Sequence, residues 1–468
     1  MKHTIKCTLQ VFILALTLLT ACKKSTDVMA PATTPAPTPT PVAVDPNKIK
    51  DSVLLYSQDV YLWYNQIPST FAPRTYDDPD KIMTAIRQYS IEPGFTTPVD
   101  RWSFAMKKVD WDNLSAGLGA TFSETGSSNG DFGLGVFFWV EGDLRVKSVE
   151  KESPAGLSGI RRSWRIIKLN GNTNITTSNS TFIIDAVYKS TSTTFTFQKP
   201  DGSMVDITLN AAHYQQRPSY LDTVYTVNSK KIGYFVFNSF LGDTTQIYND
   251  FQRVFSKFAS ANVTDLVVDL RYNGGGYVSV QKKLANYLIN SSANNRLMMK
   301  EQYNDKYQNY NVTSYFNKSG SLNLSRIFFI VTSSTASASE LLINNLKPYV
   351  NVQLLGPTNT HGKPVGFFPI PVGEWYIFPV SFKSTNSNGE GNYFSGFTPN
   401  SKVADDLTKE FGNISEASLA SAIKNITTGA YRTESTEIFQ EQLPQVINSN
   451  VKLDDQSFKG TIDPRRLK

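Results

Sequence analysis

The stretch from Ile327 to Lys363 constrains the fold more than any other part of this 468-residue chain. It opens with an apolar run of strand length, Ile327-Phe328-Phe329-Ile330-Val331, and breaks at Thr335-Ala336-Ser337-Ala338-Ser339-Glu340. It then resumes with Leu341, Leu342, Asn345 and Leu346 at helical spacing. That order predicts a strand, a tight turn and a helix. Such a turn sets a serine at a helix N-terminus, where small neighbours admit a substrate backbone. The free N–H groups of the first helical turn can stabilise an oxyanion there. Taken alone, the hydroxyls suit a Ser/Thr-rich helix cap better than a catalytic turn. A second apolar run and a Gly362-Lys363 loop follow.

The same alternation begins at Lys231. Ile232 to Phe237 reads as a strand, and Asp243 can cap a helix with Ile247, Phe251, Val254, Phe255 and Phe258 on one face. Leu266-Val267-Val268-Asp269-Leu270 reads as a buried strand opening into Arg271-Tyr272-Asn273-Gly274-Gly275-Gly276. Buried strands separated by helices predict an α/β class with a mostly parallel core. No Gly-Lys-Ser/Thr follows the glycines and no G-x-G-x-x-G spacing is present, which argues against a nucleotide cradle. The alternative use of such a turn is close approach of backbone to a ligand, with N–H donation.

The formal net charge is +6, of which Lys2 and Lys6 contribute two. A balance this mild and dispersed argues against a nucleic-acid partner. Lys2 and Lys6 precede the apolar run Val11 to Leu16 and then Leu19-Thr20-Ala21-Cys22, which reads as a secretory signal over residues 1–21. Leu-Thr-Ala-Cys resembles the bacterial lipobox, which implies lipidation of Cys22 and a membrane anchor. Residues 22–47 are a Pro/Thr-rich tether with no capacity for a core. With Cys7 lost and Cys22 acylated, no disulfide is expected, and two remaining histidines leave no zinc site.

Residues 48–108 read as a small helical domain. Val53, Tyr56, Val60, Trp63 or Tyr64, and Ile67 share one helix face up to Pro68, and Asp78-Pro79 starts a second helix with Ile82, Met83 and Ile86 inside. Over 109–212 the signals change to period two. There Ser153-Pro154-Ala155-Gly156-Leu157 and Leu169-Asn170-Gly171 resemble the PDZ domain of bacterial proteases, although Ser163-Trp164 stands where that family has Gly-Asp. Such domains add an extended peptide as a strand and often hold its carboxylate in a Gly-rich loop. Gly117-Leu118-Gly119 and Gly133-Leu134-Gly135 both qualify, and the first is the substrate-binding assignment adopted.

Asp269-Leu270-Arg271-x-Asn273-x-Gly275-Gly276, Thr335 to Glu340, and Gly362-Lys363 occur in this order behind the PDZ-like segment. Together with Asp100-Arg101-Trp102-Ser103 and Gly396-Phe397-Thr398-Pro399 they resemble the carboxyl-terminal processing peptidases, or tail-specific serine proteases. The helical pair, tether and lipobox are similar to the lipoprotein versions found in Bacteroidetes. The resemblance implies a crotonase-like, mostly parallel-sheet protease core over 213–430 with an inserted PDZ-like β domain. It also implies a cofactor-independent serine endopeptidase acting on extended or C-terminal polypeptide segments. Carried over by motif, Ser337 is the nucleophile and Lys363 the general base. Ala338 and either Gly275 or Gly276 supply oxyanion N–H groups, and Ser339 belongs to the helix cap.

A free lysine amine ionises near ~10.4, so holding it neutral at pH 7 costs roughly 4.6 kcal/mol, which burial can supply. Pro364, Val365, Phe367 and Phe368 follow Lys363 with no carboxylate nearby in sequence. Where the family often has a glutamine to orient the amine, this chain has Phe367. His361 is the rival base, and a catalytically decayed peptide-binding lipoprotein is the rival function. Oligomeric state is not legible. Neither is a function for the polar tail, residues 431–468.

Overall fold

The computed structural model describes residues 45–118, 130–432, 453 and 458–463. The leader, Cys22, most of the tether and Gly119 lie outside the described residues. Residues from Val44 onward form one compact unit, so the helical segment expected at 48–108 is not walled off as a domain of its own.

Its centre is a six-stranded sheet in the order Ser401–Lys402, Asn351–Gly356, Arg326–Ile330, Asp265–Asp269, Lys230–Phe237, Ser219–Val227. The first five run parallel and the last is antiparallel. Asp265–Asp269 is buried at every position, as a strand covered on both faces requires. Alternation in Lys230–Phe237 sends Phe235 and Phe237 to the face covered by helices Thr244–Ser260, Val278–Leu288 and Ala338–Leu346. Tyr234 and Val236 go to the face covered by Ala417–Thr428. Helix Thr244–Ser260 is capped by Asp243, which accepts from Thr245 and Gln246 N–H, and it buries the five apolar residues read from its spacing.

A five-stranded antiparallel sheet, Leu134–Val140, Asp143–Val149, Arg165–Leu169, Ser192–Gln198, Met204–Asn210, forms a second layer with its own core around Phe138, Ile166, Phe195 and Phe197. Ser163 here has φ +78°. It therefore holds a left-handed backbone that glycine would adopt freely, at a cost of roughly 1–2 kcal/mol.

This sheet is fastened to the centre by buried charge. Arg162 donates to Asp405 (2.9 Å) and to the Tyr272 hydroxyl (2.8 Å). Arg271, from the end of the central strand, donates to the same Asp405 oxygen (2.8 Å), to Glu416 and to Asp269. Burial pushes the Asp405 carboxyl up, but the two guanidinium groups outweigh it and hold it at about 2. Asp405→Ala leaves two buried arginines short of an anion and is expected to cost about 3–5 kcal/mol in urea unfolding at neutral pH. A depressed folded-state pKa stabilises above the unfolded value of ~3.9, so the gap to wild type should close as pH falls through about 2.

The helical segment shares a core with the far end of the chain. Val53, Val60, Ile82 and Met83 cluster with Val365, Phe367, Phe368 and Phe378. Strand Phe104–Lys107 pairs with Trp375–Phe378. The first helix, Pro46–Val60, stops eight residues short of Pro68 because Tyr61 turns extended and Leu62 N–H donates to the Val380 carbonyl (2.8 Å). Trp63 and Ile67 are still buried, whereas Tyr56 of the predicted stripe is exposed.

Candidate active site

Ser337 sits where strand Arg326–Ile330 has ended and helix Ala338–Leu346 begins, with φ +60° and ψ −109°. A non-glycine residue in this region stores about 1–3 kcal/mol and is held there by its surroundings. The serine is itself the N-cap. Ser339, expected in the cap, lies inside the helix and donates its hydroxyl to the Asn273 carbonyl (3.0 Å). Asn273 accepts the Ala336 N–H on the same carbonyl (3.0 Å), which docks the elbow on the glycine turn.

Gly275 and Gly276 have φ +106° and +139°. A Cβ on Gly275 would lie 2.9 Å from the Ala338 nitrogen, so glycine is needed where turn and elbow meet. The Gly275 N–H donates to Asn273 Oδ1 (2.9 Å). The structure thus brings Ser337, Ala338 and the glycine turn together, with the Gly275 amide already engaged by a side chain.

Lys363 is 1% exposed and Ser337 is fully buried. Burial drives the Lys363 amine well below its ordinary range. Asp100 and Glu340 both pull in the other direction and are outweighed, so the sequence expectation of no nearby carboxylate is corrected. The amine lies 3.7 Å from the Phe367 ring centroid and 5.8 Å from that of Trp102, and it donates to the Lys459 carbonyl (2.9 Å). Phe367 therefore borders the amine as an aromatic wall. Trp102 is carried by a loop that Asp100 organises, accepting from Tyr61, from Ser103 and from the Trp102 N–H.

Sequence reasoning missed Glu340. Its carboxylate is completely buried and accepts from Ser337 N–H (2.9 Å), Lys363 N–H (2.8 Å), Gly362 N–H (2.6 Å) and the Thr360 hydroxyl (2.5 Å). One side chain ties the elbow to the Lys363 loop. Burial raises its pKa, and the four donors offset part of that rise. The available signal was a glutamate three residues after the N-cap, the capping-box position.

His361 accepts at Nε2 from Trp102 Nε1 (2.9 Å), and burial with the charges of Lys459, Arg101 and Lys363 brings its pKa down to about 3.

Gly133, Leu134 and Gly135 line a groove with Val187 and Tyr188 of the second sheet's helical segment. Gly117 and Leu118 instead pack at the join with the centre, where Leu118 bridges Gln215 and Gly117 lies against Gly242.

Residues 231–403 match the model of Peptidase family S41. Over these residues the chain is similar to that family. The carboxy-terminal processing protease CtpB of Bacillus subtilis (strain 168) is 23% identical over 317 residues, 66% of this chain and 61% of that protein. A CtpA-like serine protease of Staphylococcus saprophyticus is 26% identical over 251 residues, 52% of this chain and 48% of its own length. The matches thus span less than two thirds of these relatives. A crystallised protein of Bacteroides fragilis NCTC 9343 assigned as an S41 protease superposes with a TM-score of 0.65 at 26% identity, covering 80% of this chain and 97% of that one. The family match takes in the glycine turn, Ser337 and Lys363, and leaves out the tail.

Proposed function

We propose that this protein is a lipid-anchored serine endopeptidase that cleaves extended polypeptide segments with Ser337 and Lys363. The observation that carries the reading is the pairing of a strained, buried serine at a helix N-terminus with a buried lysine that burial favours as the neutral amine. Neutral Lys363 takes the Ser337 hydroxyl proton as the oxygen attacks a peptide carbonyl. The resulting oxyanion faces the Ala338 N–H and the glycine turn. Collapse returns that proton to the leaving amine and leaves an acyl-serine, which water hydrolyses with Lys363 again as base. The crotonase-like character of the core belongs to the same reading.

The second sheet, read as PDZ-like, would capture substrate along Gly133–Gly135. Asp131 already accepts the Gly133 N–H (2.7 Å), which favours strand addition over carboxylate capture. The anchor rests on the lipobox at Cys22. Among the described residues no helix is long and apolar enough to cross a membrane.

His361 is disfavoured as the base because Trp102 already occupies its Nε2. Ser337→Ala and Lys363→Ala should each lower cleavage of an unfolded polypeptide by about 10²–10⁴-fold or more, while His361→Ala stays within about tenfold of wild type. Full activity in Ser337→Ala would remove the nucleophile. Loss in His361→Ala with retention in Lys363→Ala would move the base to histidine.

A further inference from the structure

Residues 458–463 lie between the glycine turn and the Lys363 loop and bond to both. Strand Gly460–Ile462 pairs parallel with Gly275–Tyr277, Gly275 opposite Gly460, and Gly460 N–H donates to the Gly274 carbonyl (3.0 Å). On the other side Phe367 N–H donates to the Thr461 carbonyl (3.0 Å) and Asp463 N–H to the Phe367 carbonyl (3.1 Å). The tail therefore completes two strand edges at once, the way an extended peptide is bound by strand addition.

Its other contacts fall on the catalytic parts. The Thr461 hydroxyl lies 2.5 Å from Ser337 Oγ, and the Lys459 carbonyl accepts from Lys363 Nζ. Among the described residues Ser337 and Lys363 make no hydrogen bond to each other, and each is held by the tail instead. The Gly460 carbonyl oxygen and the Ala338 nitrogen share one corner, 2.4 and 2.9 Å from the point where a Cβ on Gly275 would stand. The Phe458 ring packs 5.7 Å from Trp111 and 6.3 Å from Phe104, and Ile462 is fully buried in the cluster that holds Phe367 and Leu241. A side chain on Gly460 would strike the Phe458 ring and unseat it.

We infer that residues 458–463 are a ligand of this cleft supplied by the chain itself. The cleft selects extended polypeptides with an aromatic residue, glycine two positions on and an aliphatic residue two further, and a substrate has to displace the tail. The catalytic consequence rests on the peptidase reading; the binding does not.

The test uses the full-length chain with Ile462→Asp, which places a charge in the apolar cluster, and separately with Phe458→Ala. Labelling of Ser337 by a fluorophosphonate should be at least ~10-fold faster in both than in wild type. The synthetic peptide Phe-Lys-Gly-Thr-Ile-Asp should slow it again saturably, and a scrambled peptide should not. Binding is read independently by tryptophan fluorescence in Ile462→Asp combined with Ser337→Ala, since Trp111 and Trp102 border the cleft. Saturable binding there without labelling of any protein would retain the tail as ligand and remove the peptidase reading. Labelling at the wild-type rate in both variants, or no preference for the matching peptide over the scrambled one, would overturn the inference.

Discussion

Lys363→Met will lose turnover by about 10²–10⁴-fold or more and at the same time make the folded chain more stable at neutral pH. The two effects share one cause. The amine is buried, and burial holds its pKa well below the ordinary value. The unfolded chain therefore binds a proton that the folded chain has released, over the interval between the depressed pKa and ~10.4. Wild-type stability rises with pH across that interval, by up to about 1.4 kcal/mol per pH unit. Methionine fills a similar volume without that dependence. It forfeits only the hydrogen bond to the Lys459 carbonyl, worth about 1 kcal/mol. The advantage of the variant should be greatest toward the low end of the interval and fade as pH approaches ~10.4. Urea unfolding of both proteins at about pH 6, 8 and 10 measures it. Parallel pH profiles would mean that Lys363 is charged in the fold, and the serine would be left without the proposed base.

What the sequence disclosed was local. The strand, elbow and helix around Ser337 and the capped helix after Asp243 were legible because each is specified by residues within a turn or two of one another. Four features were not. Glu340 is recognisable as a capping residue, but its second pair of partners, Thr360 and Gly362, lies 20 and 22 positions downstream, beyond the reach of any local pattern. The end of the first helix is set by a hydrogen bond to Val380, not by Pro68. Which of the two glycine loops borders Val187 and Tyr188 depends on the packing of the second sheet. The tail reads as polar and featureless because Gly460–Ile462 is a strand only where Gly274–Tyr277 and Phe367 offer it two edges. Long-range edge pairing carries almost no signal in a three-residue segment.

Glu340→Ala should be the most damaging single change outside Ser337 and Lys363, the two residues proposed to react. It removes the acceptor from four buried donors, the N–H groups of Ser337, Gly362 and Lys363 and the Thr360 hydroxyl. Each unsatisfied donor costs about 1–3 kcal/mol, so a loss of at least ~4 kcal/mol is expected even with partial relaxation. Catalysis should fall further than stability alone explains, because the same carboxylate sets the elbow against the Lys363 loop. Glu340→Gln separates the two roles. Its amide can face Thr360, whose hydroxyl can turn to accept, and its oxygen can keep the Ser337 and Lys363 N–H groups on the Oε2 side. Only the Gly362 bond is then lost. Gln should accordingly recover most of the stability and a measurable part of the fluorophosphonate labelling rate, while Ala recovers neither. Thermal unfolding and labelling of the two variants side by side decide the point. An Ala variant within about 0.5 kcal/mol of wild type and labelled at the same rate would show that elbow and base loop are held together without Glu340.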